Sequence, residues 1–181
     1  MPASRTRKAR TPRGSDGTTA AARATAEFAA AGAHDRAIAV ATAALDAPRL
    51  PAATRLKLLD LRAESFIAQG EPGRARADAD AMLAAARRAR NSAFVALALN
   101  RCALVRLRTG QSREALASAE EALDAARRSE GIDLEATALL RIAEARFRLL
   151  ESAKAVQAAT KAARLFRKLG QRAGEGRALW A

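Results

Sequence analysis

The sequence predicts an all-α fold built from repeated helical hairpins, and three observations support that prediction. Apolar residues recur at helical spacing through residues 91–128, on both sides of Gly110. Small residues then return 40 positions apart, as Ala103 and Ala143 do. Half of the chain is hydrophobic but 3% is aromatic, and this alanine-rich composition favours closely packed helices. No segment alternates polar and apolar residues as a half-buried strand would.

Residues 91–128 hold the clearest hairpin. We expect Gly110 to leave the helical backbone region at the turn and Ser112 to cap the second helix. The inward positions of the two helices are Leu97, Leu99, Cys102, Ala103, Leu104, Leu107, Ala115, Leu116, Ala119, Ala122 and Leu123. A single hairpin cannot bury such a face alone, so a fixed period predicts a stack of hairpins. Four hairpins fit within residues 18–169.

Residues 1–17 precede the first hairpin and show no apolar periodicity. Their basic residues, opposed by Asp16, are Arg5, Arg7, Lys8, Arg10 and Arg13. This composition predicts a disordered, solvated tail. The alternative is a tail that attaches to nucleic acid or anionic lipid through its charge.

Helix boundaries in the first two hairpins follow from proline and polar residues. The first helix is expected over residues 18–31, with Asp35 as the N-cap of the second helix and Pro48 beyond its end. The second hairpin is expected over residues 52–90. Pro72 should lie in the first turn of its second helix, where proline is tolerated.

The fourth hairpin, residues 132–169, is expected to bury Leu139, Ile142, Phe147, Val156 and Leu165. Residues 170–181 then have the pattern of a fifth repeat that begins, with Leu179 at its first large apolar position. A solenoid normally ends in a capping helix. The expectation is therefore that the chain is the amino-terminal part of a longer protein, or that another subunit covers its end.

Four positions of each hairpin carry a recurring pattern of small residues. They hold Thr25, Gly32, Ala37 and Ala44, then Ala63, Gly70, Ala75 and Met82, then Ala103, Gly110, Ala115 and Ala122, and lastly Ala143, Leu150, Ala155 and Ala162. This pattern resembles the tetratricopeptide repeat, and the resemblance covers residues 18–181. The period exceeds the family's usual ~34 residues, as in the longer-repeat variant of bacterial regulators and signalling proteins. The resemblance implies a right-handed solenoid of stacked antiparallel hairpins, with about four repeats and the start of a fifth.

The formal net charge is +13, with 32 basic residues. Cations end several second helices, where they complement the negative helix terminus: Arg87, Arg88, Arg90, Arg127, Arg128, Arg164, Arg167 and Lys168. Interleaved aromatic residues and a DNA-binding motif are absent from the sequence, so this pattern favours a structural role over a nucleic-acid patch. The single cysteine, Cys102, lies on the apolar side of its helix, which predicts a buried, reduced thiol. Since no run of residues is apolar enough to span a membrane, a cytoplasmic location is expected.

No set of residues predicts catalysis, a cofactor or a metal site. His34 is the single histidine and has no second His or Cys at ligand spacing. The glycines of residues 170–176 lack the order of a phosphate loop, and Glu120 and Glu121 point in different directions on a helix. The expectation is a non-catalytic segment.

The resemblance implies that the first helices of the hairpins line a concave partner-binding groove. Carried over position by position, its polar lining is Lys57, Asp60, Glu64, Asn100, Arg101, Arg108, Arg141, Glu144 and Arg148, with Leu97, Leu104 and Leu140 between them. Arg101 with Arg141, and Arg108 with Arg148, recur at 40 residues, so each pair should occupy neighbouring helices. Guanidinium pairs suit carboxylate or phosphate recognition. The alternative is that these are ordinary solvated arginines.

Three functions remain open on the sequence. The first is a non-catalytic scaffold that binds a peptide or a neighbouring domain in the groove, and an acidic segment would suit its arginines. The second is the regulatory or sensory region of a larger signalling protein, such as a nucleotide cyclase or an ATP-dependent transcription regulator, with its partner domain beyond Ala181. The third, least favoured, is attachment to nucleic acid by the basic tail.

Overall fold

The computed structural model describes residues 14–181, and all regular secondary structure in that part of the chain is α-helical. The all-α prediction is confirmed. The helices are α1 (Gly14–Ala30), α2 (His34–Leu45), α3 (Ala52–Ala68), α4 (Pro72–Arg88), α5 (Ser92–Arg108), α6 (Ser112–Arg128), α7 (Ile132–Arg148), α8 (Ser152–Lys168) and α9 (Arg172–Trp180). Residues 14–17 of the predicted tail belong to α1, so this helix begins four residues earlier than expected. The rest of the tail lies outside the described residues.

From α3 onward the helices follow a strict period. Each helix from α3 to α8 has 17 residues, and three residues join each helix to the next. The helices α3, α5, α7 and α9 begin 40 residues apart, at Ala52, Ser92, Ile132 and Arg172. Pro72 is the first residue of α4, as the sequence predicted. The hairpins deduced from the sequence are therefore present with nearly the expected bounds.

Each of these three-residue turns has a middle residue in the left-handed region. Gly110 has φ 77°, and its N–H donates to the Leu107 carbonyl while the Gln111 N–H donates to the Arg106 carbonyl. This pair of hydrogen bonds satisfies carbonyls that would otherwise be free at the helix end. Residues other than glycine occupy the equivalent position in three turns: Arg90 at 50°, Glu130 at 56° and Leu150 at 63°. The turn geometry is thus kept even where the side chain makes it costly.

Two cap assignments from the sequence were wrong. Ser112 is the first residue of α6, and Gln111 precedes it without a side-chain cap. Asp35 lies inside the first turn of α2 and accepts a hydrogen bond from Gln69 at 2.6 Å. A side-chain cap needs an extended residue before the helix. Asn91, which precedes α5, has this conformation. It accepts from the Phe94 N–H at 3.0 Å.

The helices pack in two sets. The odd-numbered helices contact one another in succession, whereas each described even-numbered helix contacts only its neighbours in sequence. Close approach is possible because small residues lie at the crossings, and Ala63, Ala103 and Ala143 are completely buried at 40-residue spacing. Cys102 is buried as predicted. None of the helices within residues 14–181 combines the length and apolar character needed to cross a membrane.

Two residues predicted to be core are exposed. Phe147 is 60% exposed and Val156 is 65% exposed, whereas Leu139 and Ile142 are buried as expected. Phe147 occupies the position of Leu107 one repeat earlier. Leu107 is buried because it packs against α7, whereas Phe147 lines a cavity together with Trp180 of α9. The described helices therefore leave the Phe147 ring exposed.

Candidate binding groove

A groove runs across the odd-numbered helices. It consists of two cavities of about 610 and 680 Å³, within the size range of ligand-binding clefts. Both cavities are lined by Leu104, Arg108, Glu144 and Arg177. Because they share these four residues, they form one continuous surface, which we call the groove.

The α3–α5 end of the groove is closed by ion pairs. The Arg101 Nε donates to the Asp60 carboxylate at 2.7 Å, and its Nη2 lies 3.4 Å from the Glu64 carboxylate. The Arg101 side chain is 11% exposed. Burial alone would lower its pKa, but the two carboxylates more than offset this, so the pKa of Arg101 is raised above its ordinary value. This arginine is consequently fixed between α3 and α5.

Arg141 is equally buried but less completely paired. Its Nη1 donates to Glu144 at 2.7 Å within α7, while its buried Nε has no acceptor among the described residues. Burial lowers the pKa of Arg141; Glu144 opposes the shift, and the charges of Arg101 and Arg177 add to it. The side chain therefore holds its positive charge at an electrostatic cost.

The α7–α9 end of the groove has cations without carboxylate partners. Arg148 donates from Nη1 to the Leu107 carbonyl at 2.8 Å, which connects α7 to α5. Within the described chain, the side chains of Arg108 and Arg177 make no hydrogen bond or ion pair. The surface between these arginines is apolar, and its members are Leu104, Leu107, Phe147 and Trp180.

The structure gathers most of the predicted groove residues. Glu64, Arg101, Arg108, Arg141, Glu144 and Arg148 line the two cavities, and Asp60 joins them through Arg101. Arg101 and Arg141 share one cavity, and Arg108 and Arg148 share the other. Lys57 is exposed outside both cavities. Asn100 is buried and donates from Nδ2 to the Leu134 carbonyl at 3.1 Å, which gives it a role between α5 and α7.

Among the groove residues that sequence reasoning missed are Arg177, Phe147 and Trp180. A signal for Arg177 was present, because it follows the start of α9 by five residues, as Lys57 follows the start of α3. For Phe147 the apolar pattern was misleading, since its helical phase matches that of a buried leucine. Its exposure depends on what packs above α7 and not on α7 itself.

The groove contains groups that can bind a ligand, and none of the described residues that line it is a nucleophile. Guanidinium groups accept carboxylate or phosphate ligands, and the apolar surface accepts a large side chain. Cys102 faces the interior beside the Ala79 carbonyl, and burial raises the pKa of its thiol to about 11. In the described residues, no group of three or more His, Cys, Asp and Glu side chains could hold a metal ion.

No protein-family model matches the chain, and no curated protein is significantly similar to it in sequence.

Proposed function

We propose that the protein is a non-catalytic scaffold of the tetratricopeptide type, a right-handed solenoid that binds a protein segment in the groove. The observation that carries this proposal is the pairing pattern of the groove arginines. Arg101 and Arg141 have carboxylate partners, whereas Arg108 and Arg177 extend into the groove without hydrogen-bond partners in the described chain. Exposed cations beside an apolar surface are suited to bind a partner.

The regular stack of helices supports the scaffold proposal. Each odd-numbered helix contacts the next, so the groove is a surface shared by α3, α5, α7 and α9. A surface of this kind can hold an extended or helical segment along several helices at once. The proposal also includes a cytoplasmic location, which a lone buried thiol favours.

A photo-crosslinking experiment in cells tests the proposal. A photoreactive amino acid at Leu104, which lines both cavities, should capture a protein that the same substitution at the exposed Lys161 of α8 does not. Cross-links to another chain would favour the scaffold. Cross-links to a further domain of the same chain would favour the alternative, a regulatory region of a larger signalling protein. Absence of protein cross-links specific to Leu104 would contradict both.

A further inference from the structure

We propose that the α7–α9 end of the groove selects a protein segment in which carboxylates lie beside a large apolar side chain. This inference rests on the proposed scaffold function and adds the chemistry of the partner. It depends on three features of the groove: the distribution of charge along it, the exposed apolar surface at one end, and the buried arginine at its centre.

Charge is distributed unevenly along the groove. At the α3–α5 end, Arg101 faces both Asp60 and Glu64, so the cation is already neutralised. At the α7–α9 end, Arg108, Arg148 and Arg177 line one cavity, and the carboxylate that lines it, Glu144, is held by Arg141. Carboxylates of a bound segment would thus be attracted to Arg108 and Arg177, which line both cavities, and would lie away from Asp60 and Glu64 at the α3–α5 end. The groove should consequently bind such a segment in one orientation, with its acidic part near α9.

The apolar surface lies at the same end as the unpaired cations. Phe147 is well exposed, and it lines the cavity together with Leu104, Leu107 and Trp180. A large apolar side chain placed there would remove aromatic and aliphatic surface from water, at about 25 cal/mol per Å² of buried area. Guanidinium groups at the rim would then contact carboxylates on either side of that side chain. The preference for a large apolar side chain and the preference for carboxylates reinforce each other, because neighbouring positions of one segment satisfy both.

Arg141 gives a separate reason to expect an anion. It is 8% exposed, and its Nε lacks an acceptor in the described chain. Its neighbours include two further cations, Arg101 and Arg177, whose charges oppose its own. A carboxylate bound beside Arg177 would offset this repulsion, so the groove should bind an anion more tightly than isolated surface arginines would.

The carboxylates of the groove favour a protein segment over nucleic acid. A polyanion needs a continuous path of cations for its phosphates, whereas Asp60, Glu64 and Glu144 interrupt the path. Nucleic-acid bases also need aromatic platforms in succession. The described groove has Phe147 and Trp180 at one end and no aromatic residue in the lining of its other cavity.

Selection from a random peptide library displayed on phage tests the inference with the whole chain as bait. We expect the enriched peptides to combine Asp or Glu with Leu, Ile, Phe or Trp at adjacent positions. Enrichment of peptides without an acidic bias would overturn the inference and leave the scaffold function standing. No enrichment, together with no partner captured at Leu104, would contradict both proposals.

Affinities of an enriched peptide for matched variants then locate the site. Trp180 is the chain's single tryptophan and lines the groove, so its fluorescence reports binding directly. Arg108→Gln and Arg177→Gln should each weaken binding about tenfold or more, as for a lost charged hydrogen bond, and Phe147→Ala should weaken it comparably. Arg128→Gln, an exposed arginine in the last turn of α6, is the control and should have no effect.

Competing occupants give different results in the same assay. If a single-stranded oligonucleotide bound more tightly than the peptide, the groove would be a nucleic-acid site and the inference would be wrong. If Trp180 fluorescence changed with protein concentration alone, a second copy of the chain would be the occupant, which also overturns it. Circular dichroism of each variant separates lost binding from lost folding.

Discussion

The α3–α5 end and the centre of the groove have the same helix register but different ion pairing. Arg101 and Arg141 are equivalent positions of α5 and α7, 40 residues apart. Arg101 pairs with Asp60 and Glu64 of α3, the preceding odd-numbered helix. The equivalent residues that α5 offers to Arg141 are Asn100 and Leu104, which carry no charge, so Arg141 pairs with Glu144 on its own helix. A repeat therefore sets where an arginine lies, while the preceding repeat decides whether its charge is neutralised.

This difference assigns different roles to residues of one type. An arginine fixed by carboxylates on another helix connects two repeats and has little capacity left for a ligand. An arginine without such partners, such as Arg108 or Arg177, contributes little to packing and keeps its donors available. The predictions below test this distinction, beginning with the largest expected effect.

Removal of the Asp60 charge should destabilise the fold most. In Asp60→Asn, Arg101 remains buried while its closest carboxylate is lost, and breaking a buried ion pair costs about 3 kcal/mol. Urea unfolding measures this change. The control is Glu64→Gln: Glu64 is 59% exposed, so its removal should cost roughly 0.5 kcal/mol. Equal losses in the two variants would show that Asp60 does not hold Arg101.

Cys102 lies in the core beneath the α3–α5 end of the groove. Its thiol should make the free energy of unfolding depend on pH in the alkaline range. Burial raises the pKa of this thiol from 9.0 to about 11, so between these values the unfolded chain releases a proton that the folded chain retains. The stabilisation is complete below pH 9 and is lost as pH rises through 11, by about 2.7 kcal/mol in total.

Unfolding of the wild type and of Cys102→Ala at a series of pH values isolates the contribution of this thiol. The difference in unfolding free energy between the two proteins should shrink as pH rises. A constant difference would mean that solvent reaches the thiol and that the α3–α5 core is open.

The sequence predicted the repeat and its small residues because these depend on local pattern. Gly110, Ala103 and Ala143 carry information that is visible within one helix or turn. The pairing of Arg101 with Asp60 spans 41 positions and follows from the stacking of helices, which single-helix periodicity cannot show. The prediction that Phe147 is buried was wrong for the same reason, since its exposure depends on how another helix packs against it. The cap errors at Ser112 and Asp35 arose because the residue that precedes each helix, Gln111 or Ala33, is not extended.

Substitutions at two equivalent turn positions, Gly110 and Leu150, should change the free energy of unfolding by intermediate amounts and in opposite directions. Gly110→Ala places a side chain at a positive φ and should cost about 1 kcal/mol. Leu150→Gly removes that strain at the position one repeat later, and Leu150 is 88% exposed, so little packing is lost. It should stabilise the protein by about 0.5 kcal/mol, after the greater entropy of glycine in the unfolded chain is deducted. Thermal unfolding measures both. A destabilised Leu150→Gly would show that Leu150 contributes contacts that its exposure does not indicate.

The smallest expected effect on stability belongs to Arg108. Its side chain has no hydrogen-bond or ion-pair partner in the described chain, so Arg108→Gln should change the unfolding free energy by less than about 0.5 kcal/mol. Arg148→Gln removes the hydrogen bond to the Leu107 carbonyl and should cost about 1 kcal/mol. These two arginines line the same cavity and are 40 residues apart. Urea unfolding of both variants under the same conditions therefore gives a direct comparison. If Arg108→Gln were the more destabilising, its aliphatic stem would be packed against the helices, and the distinction between partnered and unpartnered arginines would not hold.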